Sequence, residues 1–183
     1  MCSDQEAWRS WLHTNHATSS GVWLRIAKRG AEPKSVSYPE AVEAALCFGW
    51  IDGQKKSDDD SCWLQRFTPR SEKSLWSKIN REKAIGLIER KKMHAAGLRE
   101  VERAKRDGRW EGAYDSPNGA TVPADFQALL DKRPKAKAFF ATLDGRNRYA
   151  VLYRIQTAKK PETRAKRIEQ FAEMLSRHEK IHS

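Results

Sequence analysis

The chain has 183 residues, 39% hydrophobic and 32% charged, a length that suits one domain or a small domain with a helical extension and excludes two large ones. Its 7 Trp and 6 Phe supply large apolar side chains that exclude a disordered chain. Lys and Arg number 35 against 24 Asp and Glu, a formal charge of +11, which accommodates an acidic partner (nucleic acid, anionic lipid or acidic protein) and equally a plain basic, mixed-sign surface.

Residues 1–122 hold 21 basic and 17 acidic side chains, and residues 123–183 hold 14 and 7, so the last third is the more basic segment. The opening residues, MCSDQEAW, carry neither a basic stretch nor an apolar core, and no run is long enough to cross a bilayer, so a cytoplasmic location is expected. Cys2, Cys47 and Cys62 form an odd set without CxxC spacing and are expected as free thiols.

Ser3 and Glu6 have capping-box spacing before Ala7, Trp8, Trp11 and Leu12, which predicts a short amphipathic helix followed by Gly21. Residues 22–27, VWLRIA, alternate as a strand. Ser37, Pro39 and Glu40 open a second helix, AVEAALCF, that Gly49 can end in a left-handed conformation. Residues 50–56 and 62–68 are extended runs joined by the polar turn SDDDS, which predicts a hairpin and an antiparallel sheet.

From Ser77 the period becomes helical, with a further helix expected after Gly97 and ended by Asp107 and Gly108. The Gly, Pro, Asn and Ser of residues 111–123 read as a linker. Helices are then expected at about 124–132, 135–142, 145–158 and 162–177. The fold class is therefore α+β: a small antiparallel sheet with flanking helices at 1–110, then a basic helical unit at 124–183.

His13 and His16 can share a helix face, but a metal needs a third ligand that the sequence does not supply, and no metal or other cofactor is expected. Asp58, Asp59 and Asp60 lack the alternation of a calcium loop and read as a solvated turn. Cys47, near a helix C-terminus, reads as a buried thiol rather than a nucleophile. No GxSxG, Walker loop or GxGxxG is present, so a catalytic residue cannot be named and a binding role is expected over an enzymatic one.

Residues 47–80 interleave Trp50, Trp63 and Trp76 with Asp52, Gln54, Gln65, Arg66, Lys78 and Asn80. Alternation sets Trp50, Asp52 and Gln54 on one strand face and Trp63, Gln65 and Phe67 on one face of the partner strand. This pattern fits a polar, Trp-lined cleft for an anionic or planar ligand, although a Trp-rich core with charges at its rim is the favoured reading. In the last helix an apolar stripe of Ile168, Phe171 and Leu175 leaves Lys159, Lys160, Arg164 and Arg167 as a candidate surface for a phosphate or nucleic acid.

The stretches VWLRIAKRG, ALCFGWIDGQKK, WLQRFTPR, WSKIN and NRYAVLYRIQTAKKPETRAKRIEQFAEML resemble the YdeI/OmpD-associated, or bacteriocin-protection, family. The resemblance implies an α+β unit similar to the YjbR/frataxin-like group, followed by a helical segment. It also implies a role in tolerance of antimicrobial peptides or association with an outer-membrane porin, and it carries over no catalytic residue. A chain without an export signal is not expected to meet a mature porin directly, and a basic protein repels cationic peptides at long range, so any protection is expected to be indirect.

Overall fold

Asp4, one residue beyond the expected Ser3, caps the first helix, α1 (Gln5–Asn15): its carboxylate accepts from the Ala7 N–H at 2.8 Å. A charged acceptor suits the positive end of a helix better than a hydroxyl, and the Ser3 hydroxyl donates to Asp4 instead. The structure, a computed structural model, describes residues 1–32 and 34–183. The chain falls into two units, Met1–Trp76 with Asn80–Glu111 and Ser77–Ile79 with Gly112–Ser183.

In the first unit, β1 (Val22–Ala27), β2 (Trp50–Ser57) and β3 (Cys62–Pro69) form an antiparallel sheet in the order β1-β3-β2. Helix α2 (Tyr38–Cys47) begins with the expected capping box of Ser37 and Glu40, and Gly49 follows it at φ 75, a conformation glycine adopts without steric cost. One sheet face is buried through Leu24, Ile26 and Phe67. Trp8 of α1 packs on Phe67 with ring centroids 5.4 Å apart, and its indole N–H reaches the Ala41 carbonyl of α2 at 3.0 Å. A buried Trp is thereby satisfied at both its apolar body and its polar tip.

Helix α3 spans Lys78–Glu89 and α4 spans Ala95–Arg106. Helix α4 starts before Gly97, not after it, because His94 supplies the cap: its Nδ1 accepts from the Ala96 N–H at 3.2 Å. Gly97 therefore lies inside the helix, where a Cβ would stand 2.3 Å from the Cys47 carbonyl oxygen. Its missing side chain is what lets α4 approach the end of α2.

Among its described residues the second unit carries four helices, α5 (Ala124–Asp131), α6 (Pro134–Ala141), α7 (Gly145–Gln156) and α8 (Pro161–Ser176), beside an isolated bridge between Ser77 and Tyr114. Their core includes Phe126, Leu130, Phe140, Val151, Ile155 and Leu175. Phe126 and Phe140 meet edge to face at 5.5 Å. Residues 111–123, expected as a linker, include the buried Ala113 and Asp115. No helix among the described residues is long and apolar enough to cross a membrane.

Candidate anion-binding pocket

Helix α7 is two-sided. Val151, Leu152 and Ile155 enter the core of the second unit, while Arg146, Tyr149, Ala150, Tyr153 and Arg154 line a pocket of ≈ 670 Å³. Those five positions recur at the helical period, so they form one stripe along two turns. Pro117, Asn118 and His182 complete the wall.

The aromatic floor is fixed from behind. Tyr149 donates its hydroxyl to the Asp115 carbonyl at 2.9 Å. Burial, reinforced by Tyr114, Tyr153 and Asp115, pushes its phenol up to about 12, so it stays a donor. Tyr153 stands 5.8 Å from Tyr149 and meets Tyr114 edge to face at 5.0 Å, between ring centroids.

Asp115 itself is 8% exposed. Burial pushes its carboxyl up, but hydrogen bonds from Lys78 and Gln156 together outweigh that and hold it below the usual range. Lys78 Nζ lies 2.6 Å from the carboxylate, and Gln156 both donates to it and accepts from the Asp115 N–H. The negative charge nearest the floor is thus already neutralised.

Asn147, 3% exposed, fixes the His182 wall. It accepts from the His182 N–H at 2.9 Å and donates to the His182 carbonyl at 3.2 Å. Asp144, the α7 cap, accepts from the Asn147 N–H at 2.8 Å and is held below its ordinary value by this bond.

Two guanidiniums face the pocket and no carboxylate lines it. Arg154 gives one N–H to the Ala150 carbonyl at 3.1 Å. Arg146 has no carboxylate partner among the described residues and is exposed. The pocket therefore offers charged donors at two ends and aromatic surface between them, with the Tyr149 and Tyr153 rings tilted 43° to one another, the lining of a site for an anion with an apolar body.

These residues lie outside those expected from the sequence. The expected residues of the sheet region are divided among several places. Trp50 is buried, donates to the His16 carbonyl at 3.2 Å and meets Trp11 at 5.8 Å. Asp52 accepts from the Tyr38 hydroxyl at 2.7 Å. The expected run of Trp50, Asp52 and Gln54 on one face is corrected by a register shift between Asp52 and Lys55, which sets Lys55 opposite Gln65 and leaves Gln54 exposed. An extra residue in one strand reverses the alternation beyond it.

Gln65, 4% exposed, spends its amide on that irregularity, donating to the Gly53 and Gln54 carbonyls at 3.0 and 3.2 Å. Arg66, the next residue, points to the other sheet face, 5.8 Å from the Trp23 ring that Lys56 also approaches at 4.4 Å. Trp63 lies under Lys55 at 4.6 Å. Trp76 is buried beneath the Arg70 guanidinium at 3.7 Å and against Trp110 at 4.8 Å. Lys78 belongs with Asp115 in the second unit, and Asn80 is half-buried.

Of the basic residues expected to meet a phosphate, Lys159 and Lys160 are exposed. Arg164 is held by Asp125 at 2.7 Å and by the Ile155 carbonyl at 3.2 Å, and Arg167 donates to the Arg154 carbonyl. Both arginines thereby reach carbonyls in the last turn of α7, and the Ile155 carbonyl also accepts from the Ala158 N–H.

His13 and His16 do find a third imidazole. His94 lies 6.1 and 4.9 Å from them, ring to ring, and stacks on Phe48 at 4.9 Å. Among the described residues no group of three His, Cys, Asp or Glu is arranged to hold a metal ion. Cys47 is buried, and burial pushes its thiol up despite an Arg9 contact at 3.4 Å. Asp59 is drawn down to about 2 by hydrogen bonds from the Ser61 hydroxyl and the Ser61 and Cys62 N–H groups, so it organises the hairpin turn.

The fold and pocket define a helical domain with a basic, aromatic recess, carried on a chain that also has an α+β unit. Residues 1–100 match the family described as Domain of unknown function (DUF8412), to which the chain belongs, and residues 119–178 form a domain of the family described as Bacteriocin-protection, YdeI or OmpD-Associated. The stripe from Arg146 to Arg154 lies inside the second match. No curated protein and no solved structure matches the chain.

Proposed function

We propose that this is a binding protein that serves bacteriocin or antimicrobial-peptide tolerance by capturing a small anion with a flat apolar body in the α7 pocket. The observation that carries this reading is a lining with two guanidiniums, two tyrosines and no carboxylate. Its size falls within the roughly 300–1,000 Å³ of small-molecule sites. A pocket of this charge repels a cationic peptide, so protection runs through the captured anion and not through the peptide itself. A cytoplasmic ligand fits this reading.

The test is calorimetric titration of the full chain with a panel of aromatic carboxylates and phosphates, repeated on Arg146→Ala/Arg154→Ala. Binding of at least one anion by the parent, lost in the variant while the melting temperature holds, supports the reading. Binding that ignores both arginines overturns it.

The exposed Lys159 and Lys160 favour a second reading, contact with nucleic acid. In that case affinity for a duplex falls steeply with salt, and replacing both lysines by Ala flattens the slope by about one unit per lost phosphate contact. Duplex affinity absent at low salt ends it.

A further inference from the structure

The two guanidiniums of the pocket differ in what they can still donate. Arg146 is exposed and has its whole fork available, whereas Arg154 is half-buried and ties one N–H to its own helix. They are eight residues apart on α7, about 12 Å along the axis at 1.5 Å per residue. Between them lie Tyr149, whose hydroxyl is spent on Asp115, and Tyr153. The recess is thus a slot with an open cation at one end, aromatic surface in the middle and a partly occupied, less exposed guanidinium at the other.

A simple anion uses one end of such a slot and leaves the other idle. The second guanidinium is all donor, so what completes it is a flat edge carrying two adjacent acceptors. Among the nucleobases guanine has that edge, through O6 and N7, while adenine places an N6 amino donor beside N7. A ring on the tyrosines and a phosphate on Arg146 then fill the slot with one molecule, through stacking and a charge-assisted fork.

We propose that the pocket binds a guanine nucleoside monophosphate, with the phosphate on Arg146, the ring against Tyr149 and Tyr153, and the O6/N7 edge on Arg154. This rests on the anion-capture reading above and adds the identity of the ligand. The pairing predicts a preference of about tenfold or more for guanine over adenine.

Calorimetry on the full chain with GMP, AMP and terephthalate tests it, because terephthalate is a flat dianion without a base edge. The expected result is GMP bound about tenfold or more tighter than AMP. Arg146→Ala weakens both nucleotides alike. Arg154→Lys, which keeps the charge but not the planar fork, brings GMP down to the level of AMP. Equal affinity for the two nucleotides, or a preference that survives Arg154→Lys, overturns the guanine assignment. Terephthalate binding that needs both arginines, without nucleotide binding, overturns it and leaves the anion-capture reading standing. If none of the three binds at millimolar concentration, the guanine assignment falls, and the wider anion panel decides the anion-capture reading.

Discussion

The Asn147 side chain and the His182 backbone exchange two hydrogen bonds, at 2.9 and 3.2 Å, across 35 residues of sequence. An amide side chain here plays the part of a strand neighbour: it ties an irregular stretch to α7 and thereby holds one wall of the pocket. Asn147 is nearly buried, so its amide is held by these bonds rather than by solvent.

Asn147→Ala should therefore destabilise the protein by about 1–3 kcal/mol, the usual cost of leaving buried partners unsatisfied. Urea melts measure this. A change below about 0.5 kcal/mol would show that the His182 stretch is not held by this residue.

Acid should weaken the first unit through His94. Burial, then the neighbouring His16, His13 and Arg99, pull its pKa below 6.5. Protonation would also turn the Nδ1 that accepts from Ala96 into a donor at the positive end of α4. With the folded value below the unfolded one, the unfolded chain binds more protons between the two. This contribution is then complete above 6.5 and is lost as pH falls from there through the folded value. The denaturation midpoint should drop across that window. His94→Asn keeps an acceptor at the cap without titrating, and should flatten the dependence; an unchanged profile in the variant would assign the acid response to other groups.

Gly97→Ala sets two effects against each other. Alanine is favoured over glycine inside a helix by roughly 1 kcal/mol, but the new Cβ would meet the Cys47 and Leu46 carbonyl oxygens at 2.3 and 2.8 Å. Both are backbone atoms and cannot swing aside, so the clash should win and destabilise by about 1–3 kcal/mol, the range for overpacking. Thermal melts decide it, and a stabilised variant would contradict the close approach of α4 to α2.

Gln65→Leu keeps the volume of the side chain and removes both hydrogen bonds to Gly53 and Gln54. A loss of about 1–3 kcal/mol in chemical denaturation is expected, with hydrogen exchange quickening around residues 53–55. A stable variant with unchanged exchange would show that Gln65 does not hold the β2 irregularity.

Much of the secondary structure was legible because its causes are local. The capping box of Ser37 and Glu40, the alternation in VWLRIA and the SDDDS turn each act within a few residues. The helices after residue 123 were read within two residues of their ends. Where two local signals competed, the reading erred by one to three residues, as with Ser3 against Asp4 and Gly97 against His94.

The expected alternation of Trp50, Asp52 and Gln54 breaks for a reason that lies between strands. Alternation assumes an uninterrupted ladder, and only pairing with β3 reveals the shift between Asp52 and Lys55. Gln65 was then legible as polar, but not as the residue that satisfies carbonyls on the neighbouring strand.

The sequence by itself determined the class of fold, the order of its elements and the basic character of the last third, because period, capping and charge are properties of neighbouring residues. Tertiary structure alone decided the pocket. Helical period shows that Arg146, Tyr149, Tyr153 and Arg154 share a stripe, yet it is silent on whether that stripe is covered. Residues far off in sequence settle that: Tyr114 and Asp115 hold the floor from behind, and His182 is drawn in by Asn147. The same long-range packing set Arg164 and Arg167 on the carbonyls of α7, because carbonyl oxygens in the last turn of a helix keep acceptor capacity that nearby guanidiniums can use.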